Sequence, residues 1–66
     1  MMIKNRIKEM RIKNHVTQNQ LAKDLNVTRQ TIVAIENNYY NPSLELSLKL
    51  ARYFKTSVEE IFSLDN

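Results

Sequence analysis

Between Gln18 and Asn37 the chain carries two short helical patterns separated by only three residues, and that spacing leaves few ways to fold. Leu21 and Leu25 in the first pattern, and Ile32 and Ile35 in the second, recur at the three- and four-residue intervals that gather side chains on one helix face. Brought together, the two faces form a wedge of core, and Ala22 is small where the second helix crosses closely. A turn made only of Asn26, Val27 and Thr28 needs a left-handed residue at its corner. Glycine is the usual solution, but the chain has no glycine at all. Asn26 is the next choice, because its short polar side chain tolerates positive φ. Thr28 then offers its hydroxyl to an orphan amide of the second helix. Arg29, Gln30, Val33 and Asn37 fall on the side of that helix opposite Ile32 and Ile35, and so face outward.

Helix signals continue on both sides of this segment. Ile3, Ile7 and Met10 share a face with Arg11 beside them, which predicts a first helix over about residues 5–14. Thr17 and Gln20 form a capping box ahead of the second helix. Asn38 stands where a left-handed cap is expected after the third, and Pro42 stops any continuation. Ser43 caps a fourth helix reaching about Phe54, with Leu44, Leu48 and Ala51 as its expected buried stripe. Ser57 and Glu60 make a second capping box before a last short helix through Ile61 and Phe62. The expected fold is all-α, five short helices around one core. A single domain is expected over residues 1–66, with the two-helix unit at 18–37. Leu46 and Tyr53 project nearly opposite the stripe expected for the fourth helix, with Leu50 and Phe54 between them. Either the tail with Phe62 and Leu64 or a second subunit should cover this surplus.

Composition narrows the chemistry. Without cysteine there is no disulfide scaffold, thiolate nucleophile or cysteine zinc site, and the single His15 cannot hold a metal alone. Without glycine there is no glycine-rich phosphate loop. No acid, base and nucleophile constellation stands out, so neither an enzyme nor a cofactor or metal is expected. Apolar runs fall far short of the ~18 residues a membrane span needs, and MMIKNRIKEM lacks the apolar stretch of a signal peptide. The expected location is the cytoplasm. Net charge is +3, unevenly spread: residues 1–30 carry seven Lys and Arg against Glu9 and Asp24, while residues 31–66 carry three against five acids. The basic half, which holds the outward face at Arg29, suits a polyanion.

Two amphipathic helices with a tight turn form the helix-turn-helix motif, in which the second helix enters the major groove of duplex DNA. The resemblance extends along the chain. IKEMR, TQNQLAKDLNVTRQTIVAIEN, NPSLELSLKLA and SVEEIF are similar to the lambda-repressor-like, XRE-type helix-turn-helix family. Length and tail resemble the small stand-alone dimeric repressors of the cytolysin-repressor type. Asn26 and Asn38 depart from the family's usual glycines.

This resemblance implies base reading by Gln18, Arg29, Gln30 and Val33. The residue types are compatible: Arg grips guanine O6 and N7, Gln grips adenine N6 and N7, and Val meets a thymine methyl. For Arg29 a phosphate contact or an intrachain ion pair stays open. Thr17, Thr28, Asn37, Asn38, Tyr39, Tyr40 and Asn41 flank that helix with the short polar groups and phenols that bind phosphate oxygens. Stacking of the two tyrosines on bases is disfavoured, because duplex bases stay stacked in this docking mode. One tyrosine is expected to pack on the fold and the other to lie near a phosphate. Arg11 and Glu36 match a structural ion pair between the first and third helices of the family. The small dimeric repressors also imply a short antiparallel ribbon of the termini, residues 1–3 against 62–64, which the residues themselves do not mark as strands.

The expected function is a transcriptional repressor that binds a palindromic operator as a homodimer. Its dimer surface would lie far from Arg29, at Leu46, Tyr53, Phe62 and Leu64. The alternatives are the DNA-binding antitoxin of a toxin pair, and a protein-interaction module holding another regulator.

Overall fold

A computed structural model of the chain describes residues 2–65. Five helices are framed by two short strands: β1 (Met2–Asn5), α1 (Ile7–Lys13), α2 (Gln18–Leu25), α3 (Arg29–Glu36), α4 (Leu44–Tyr53), α5 (Val58–Ile61) and β2 (Phe62–Asp65). The core draws on every helix, through Ile7, Leu21, Ala22, Leu25, Ile32, Ile35, Leu46, Leu50, Ala51 and Ile61.

The helix starts follow the chemistry of their caps. Thr17, Thr28, Ser43 and Ser57 each accept, on the side-chain oxygen, the backbone N–H three residues on. The helix ends follow one geometry four times over. His15, Asn26, Asn38 and Lys55 all hold positive φ, between 56° and 61°. At each, the left-handed residue's N–H donates three residues back, and the next N–H donates five residues back. His15 and Val16, for example, donate to the carbonyls of Ile12 and Arg11 at 3.1 and 2.8 Å. This double bond pattern closes the last turn of a helix and satisfies carbonyls the helix leaves open. Asn26 and Asn38 thus adopt the backbone expected of them. His15 and Lys55 take the same backbone with side chains that gain less from it.

The first helix is shorter than its pattern. Asn5 lies in β1, and its Oδ1 accepts the N–H of Ile7, so the helix begins at Ile7 rather than near residue 5. Ile3 accordingly belongs to the strand. The termini do pair: β1 and β2 run antiparallel with Ile3 opposite Leu64 and Asn5 opposite Phe62. The ribbon reaches inward to Asn5 and out to Asp65, beyond the spans expected; Met1 lies outside the described residues.

The buried stripe of the fourth helix differs from the expected one. Leu44 and Leu48 are 73% and 55% exposed, whereas Leu46, Ser47, Leu50 and Ala51 are buried. Ser47 hides the true stripe in the sequence, because a polar residue at its centre reads as a solvent position. Its hydroxyl donates to the Ser43 carbonyl at 2.8 Å, which removes the cost of burying it. Leu46, assigned from sequence to a subunit interface, is only 7% exposed and belongs to the chain's own core. Tyr53 and Phe54 lie half-buried against that core, edge to face with ring centroids 5.1 Å apart.

Candidate nucleic-acid interface

The wedge of Leu21, Leu25, Ile32 and Ile35 holds α2 and α3 together and turns the opposite side of α3 outward. Arg29 and Gln30 are exposed there, Val33 is half-exposed, and Asn37 is exposed just past the helix. Thr28 caps α3 by accepting from Thr31 N–H at 3.1 Å, and its hydroxyl also meets that of Thr31 at 2.9 Å. Thr17 caps α2 by accepting from Gln20 N–H at 3.0 Å. The Gln20 side chain does not complete the box by that bond; its Nε2 donates to Asp24 at 2.7 Å.

The first residues of the two helices touch. Arg29 Nη2 donates to Gln18 Oε1 at 3.1 Å, and Gln18 Nε2 donates to Glu36 Oε1 at 3.1 Å. Glu36 in turn accepts from Arg11 Nε at 2.7 Å and from Arg11 Nη2 at 3.2 Å, a two-pronged bond. Arg11 Nη1 donates to the Val16 carbonyl at 3.0 Å, so the guanidinium is held from both sides. With side-chain exposures of 11% and 4%, this pair is nearly out of water, where loss of one partner costs far more than the pair itself contributes. Four side chains from three helices, anchored on the Val16 backbone carbonyl, therefore form one continuous chain of hydrogen bonds ending at the surface.

After α3 the chain runs through Asn37, Asn38, Tyr39, Tyr40 and Asn41, all exposed. The two tyrosines differ: Tyr39 is 83% exposed, whereas Tyr40 is 45% exposed and lines the cleft between α4 and the α2–α3 turn. The left-handed turn at Asn38 explains Tyr39, because the chain reverses there and carries the ring outward.

Asn5 is the functional-side residue that the sequence did not single out. Its Nδ2 donates to the Ile35 carbonyl at 2.8 Å and to Asn38 Oδ1 at 3.1 Å, which ties the strand ribbon to the end of α3. An isolated Asn between Lys4 and Arg6 carries no local signal for such a role; only the fold brings residues 5 and 35 together. On the far side of α2, Tyr53 Oη donates to Asp24 at 2.6 Å. That bond, then partial burial and the Asp24 charge, raises the phenol pKa above its ordinary 10.0.

A helix-turn-helix family model matches residues 7–61. The chain belongs to the helix-turn-helix family. Its match takes in all five helices and agrees with the XRE-type resemblance carried by the sequence motifs. A relative from Archaeoglobus fulgidus, named as an uncharacterized helix-turn-helix-type transcriptional regulator, is 49% identical over 63 residues, covering 96% of this chain and 89% of that one. Similarly named proteins of Methanocaldococcus jannaschii and Bacillus subtilis are 48% and 41% identical, covering 91% and 96% of this chain and the same shares of their own. A crystal structure of a candidate DNA-binding protein from Bacteroides fragilis superposes with a TM-score of 0.84 at 26% identity, covering 94% of this chain and all of the other. These relatives carry the names of regulators, not of enzymes. Among the described residues no helix is long and apolar enough to cross a membrane.

Proposed function

We propose that this helix-turn-helix regulator binds double-stranded DNA sequence-specifically in the cytoplasm and acts as a repressor, as a homodimer on a palindromic operator. The observation that carries the reading is the outward turn of α3. Arg29 and Gln30 stand exposed at its start, in the position from which the second helix of this motif reaches base edges. Gln18, Arg29, Gln30 and Val33 are the proposed base readers. Thr17, Thr28, Asn37, Asn38, Tyr39, Tyr40 and Asn41 are the proposed backbone contacts, which fix register without reading sequence. The names of the relatives and of the Bacteroides structure support the same reading.

One such helix makes few base contacts, so useful affinity calls for two copies on half-sites about 34 Å apart, one turn of duplex. With Leu46 buried, the proposed self-complementary surface is carried by Leu64, 58% exposed on β2, with the half-buried Phe62 and Tyr53. Selection of bound duplexes from a random pool tests the reading. Enrichment of an inverted repeat with half-sites about one turn apart is the expected result. A pool from which no sequence emerges contradicts specific binding.

A further inference from the structure

The hydrogen bonds around Gln18 determine what kind of base edge its end of α3 can accept; this inference rests on the DNA-binding reading above. Gln18 lies between a carboxylate and a guanidinium, giving Nε2 to Glu36 and taking Arg29 on Oε1, each at 3.1 Å. A carboxylate only accepts and a guanidinium only donates, so the amide has a single orientation between them. The reversed amide would set oxygen against oxygen and N–H against N–H. Glu36 cannot turn to relax this, because Arg11 occupies both of its oxygens, at 2.7 and 3.2 Å, and its side chain is nearly out of water. Orientation is thus passed from the buried pair to Gln18 and from Gln18 to Arg29.

The consequence is chemical. Gln18 Oε1 gives one lone pair to Arg29 and keeps a second, whereas the Arg29 guanidinium has donors only, so that side chain can offer a ligand nothing but its remaining N–H groups. We propose that Arg29, held by Gln18 and aimed through it by Glu36, acts as a donor-only reader that selects guanine through its O6 and N7 acceptors. Adenine sets an N6 donor beside N7, which a donor-only guanidinium leaves unsatisfied. Gln30, one position on, carries both a donor and an acceptor and is suited to adenine. Glu36 is then a positioning residue for specificity as well as half of an ion pair.

The test begins with an operator selected from a random pool, on which the exposed Arg29→Ala variant identifies the base pair that Arg29 reads. Wild-type protein is titrated against duplexes with guanine, adenine or 7-deazaguanine at that position. Guanine is expected to win by about 5- to 100-fold over adenine, and removal of N7 to cost a similar factor. In Glu36→Gln, discrimination there should fall to within about two-fold while the base opposite Gln30 is still read. Because that variant strands Arg11, the double variant Arg11→Met with Glu36→Leu, which replaces the pair by apolar groups, must show the same selective loss. Adenine at the Arg29 position, indifference to 7-deazaguanine (a phosphate contact only), or unchanged discrimination in either folded variant overturns the aimed Arg29 reader and leaves the DNA-binding reading standing. A pool that yields no bound duplex overturns both.

Discussion

Asn5 Nδ2 donates to the carbonyl of Ile35 at 2.8 Å, joining the second-last residue before α1 to the last turn of α3, thirty positions away. The same side chain also donates to Asn38 and accepts from Ile7, so one amide holds the ribbon, the start of α1 and the end of the exposed helix together. Asn5→Ala should cost about 1–3 kcal/mol, the sum expected for two or three partly buried hydrogen bonds. Urea unfolding measures it; a loss below about 0.5 kcal/mol would show that the ribbon is not fastened to α3 by this residue.

The four left-handed turns predict an asymmetry between substitutions. Asn26→Gly and Asn38→Gly should be neutral or slightly stabilising, whereas Val at either position should cost about 1–3 kcal/mol in backbone strain. Lys55→Gly should stabilise by up to about 1 kcal/mol, since a long side chain gains nothing at φ 56°. Thermal melts of the set check the geometry, and equal melting temperatures for Asn26→Gly and Asn26→Val would contradict it.

Which parts of the fold were legible follows from where the information sits. The caps at Thr17, Thr28, Ser43 and Ser57 and the turns at Asn26 and Asn38 are local: a few consecutive residues specify them, and they appear where the sequence places them. The face of α4 is not local. Its leucines form two overlapping stripes, and only packing against α2 and α5, with Ser47 bonding its own backbone, decides that Leu46 goes in and Leu48 stays out. For the same reason the outward turn of α3 could be read from spacing, whereas the hold of Glu36 on Gln18 and the role of Asn5 required elements distant in sequence to meet.

Tyr53 links stability to alkaline pH. Its phenol is favoured in the neutral, donating form by Asp24, so its folded pKa lies above 10.0. A raised pKa stabilises the fold while the group is protonated, and that contribution is lost as pH rises from 10.0 through the raised value. Tyr53→Phe should therefore cost about 0.5–1.5 kcal/mol at neutral pH, and the difference from wild type should shrink once the phenol ionises. Melting curves across this range check the sign; a gap that widens with pH would contradict it.

Assembly is tested by charge. Leu64→Asp, alone or with Phe62→Asp, should give a monomer in sedimentation at micromolar concentration and bind operator far more weakly, although Gln18, Arg29 and Gln30 are untouched. A Leu64→Asp dimer of unchanged affinity would remove β2 from the interface. Dissociation by Leu48→Asp instead would move the interface to the exposed side of α4.

The central claim is that α3 reads bases, and Gln30→Ala tests it most directly. Fluorescence titration of wild type and variant against the selected operator and a scrambled duplex of equal length gives four affinities at one salt concentration. The account predicts a loss of about 1–3 kcal/mol on the operator, little change on the scrambled duplex, and relaxed preference at one base pair in each half-site. An equal loss on both duplexes would contradict it, because a residue that weakens every sequence alike contacts phosphate and reads nothing.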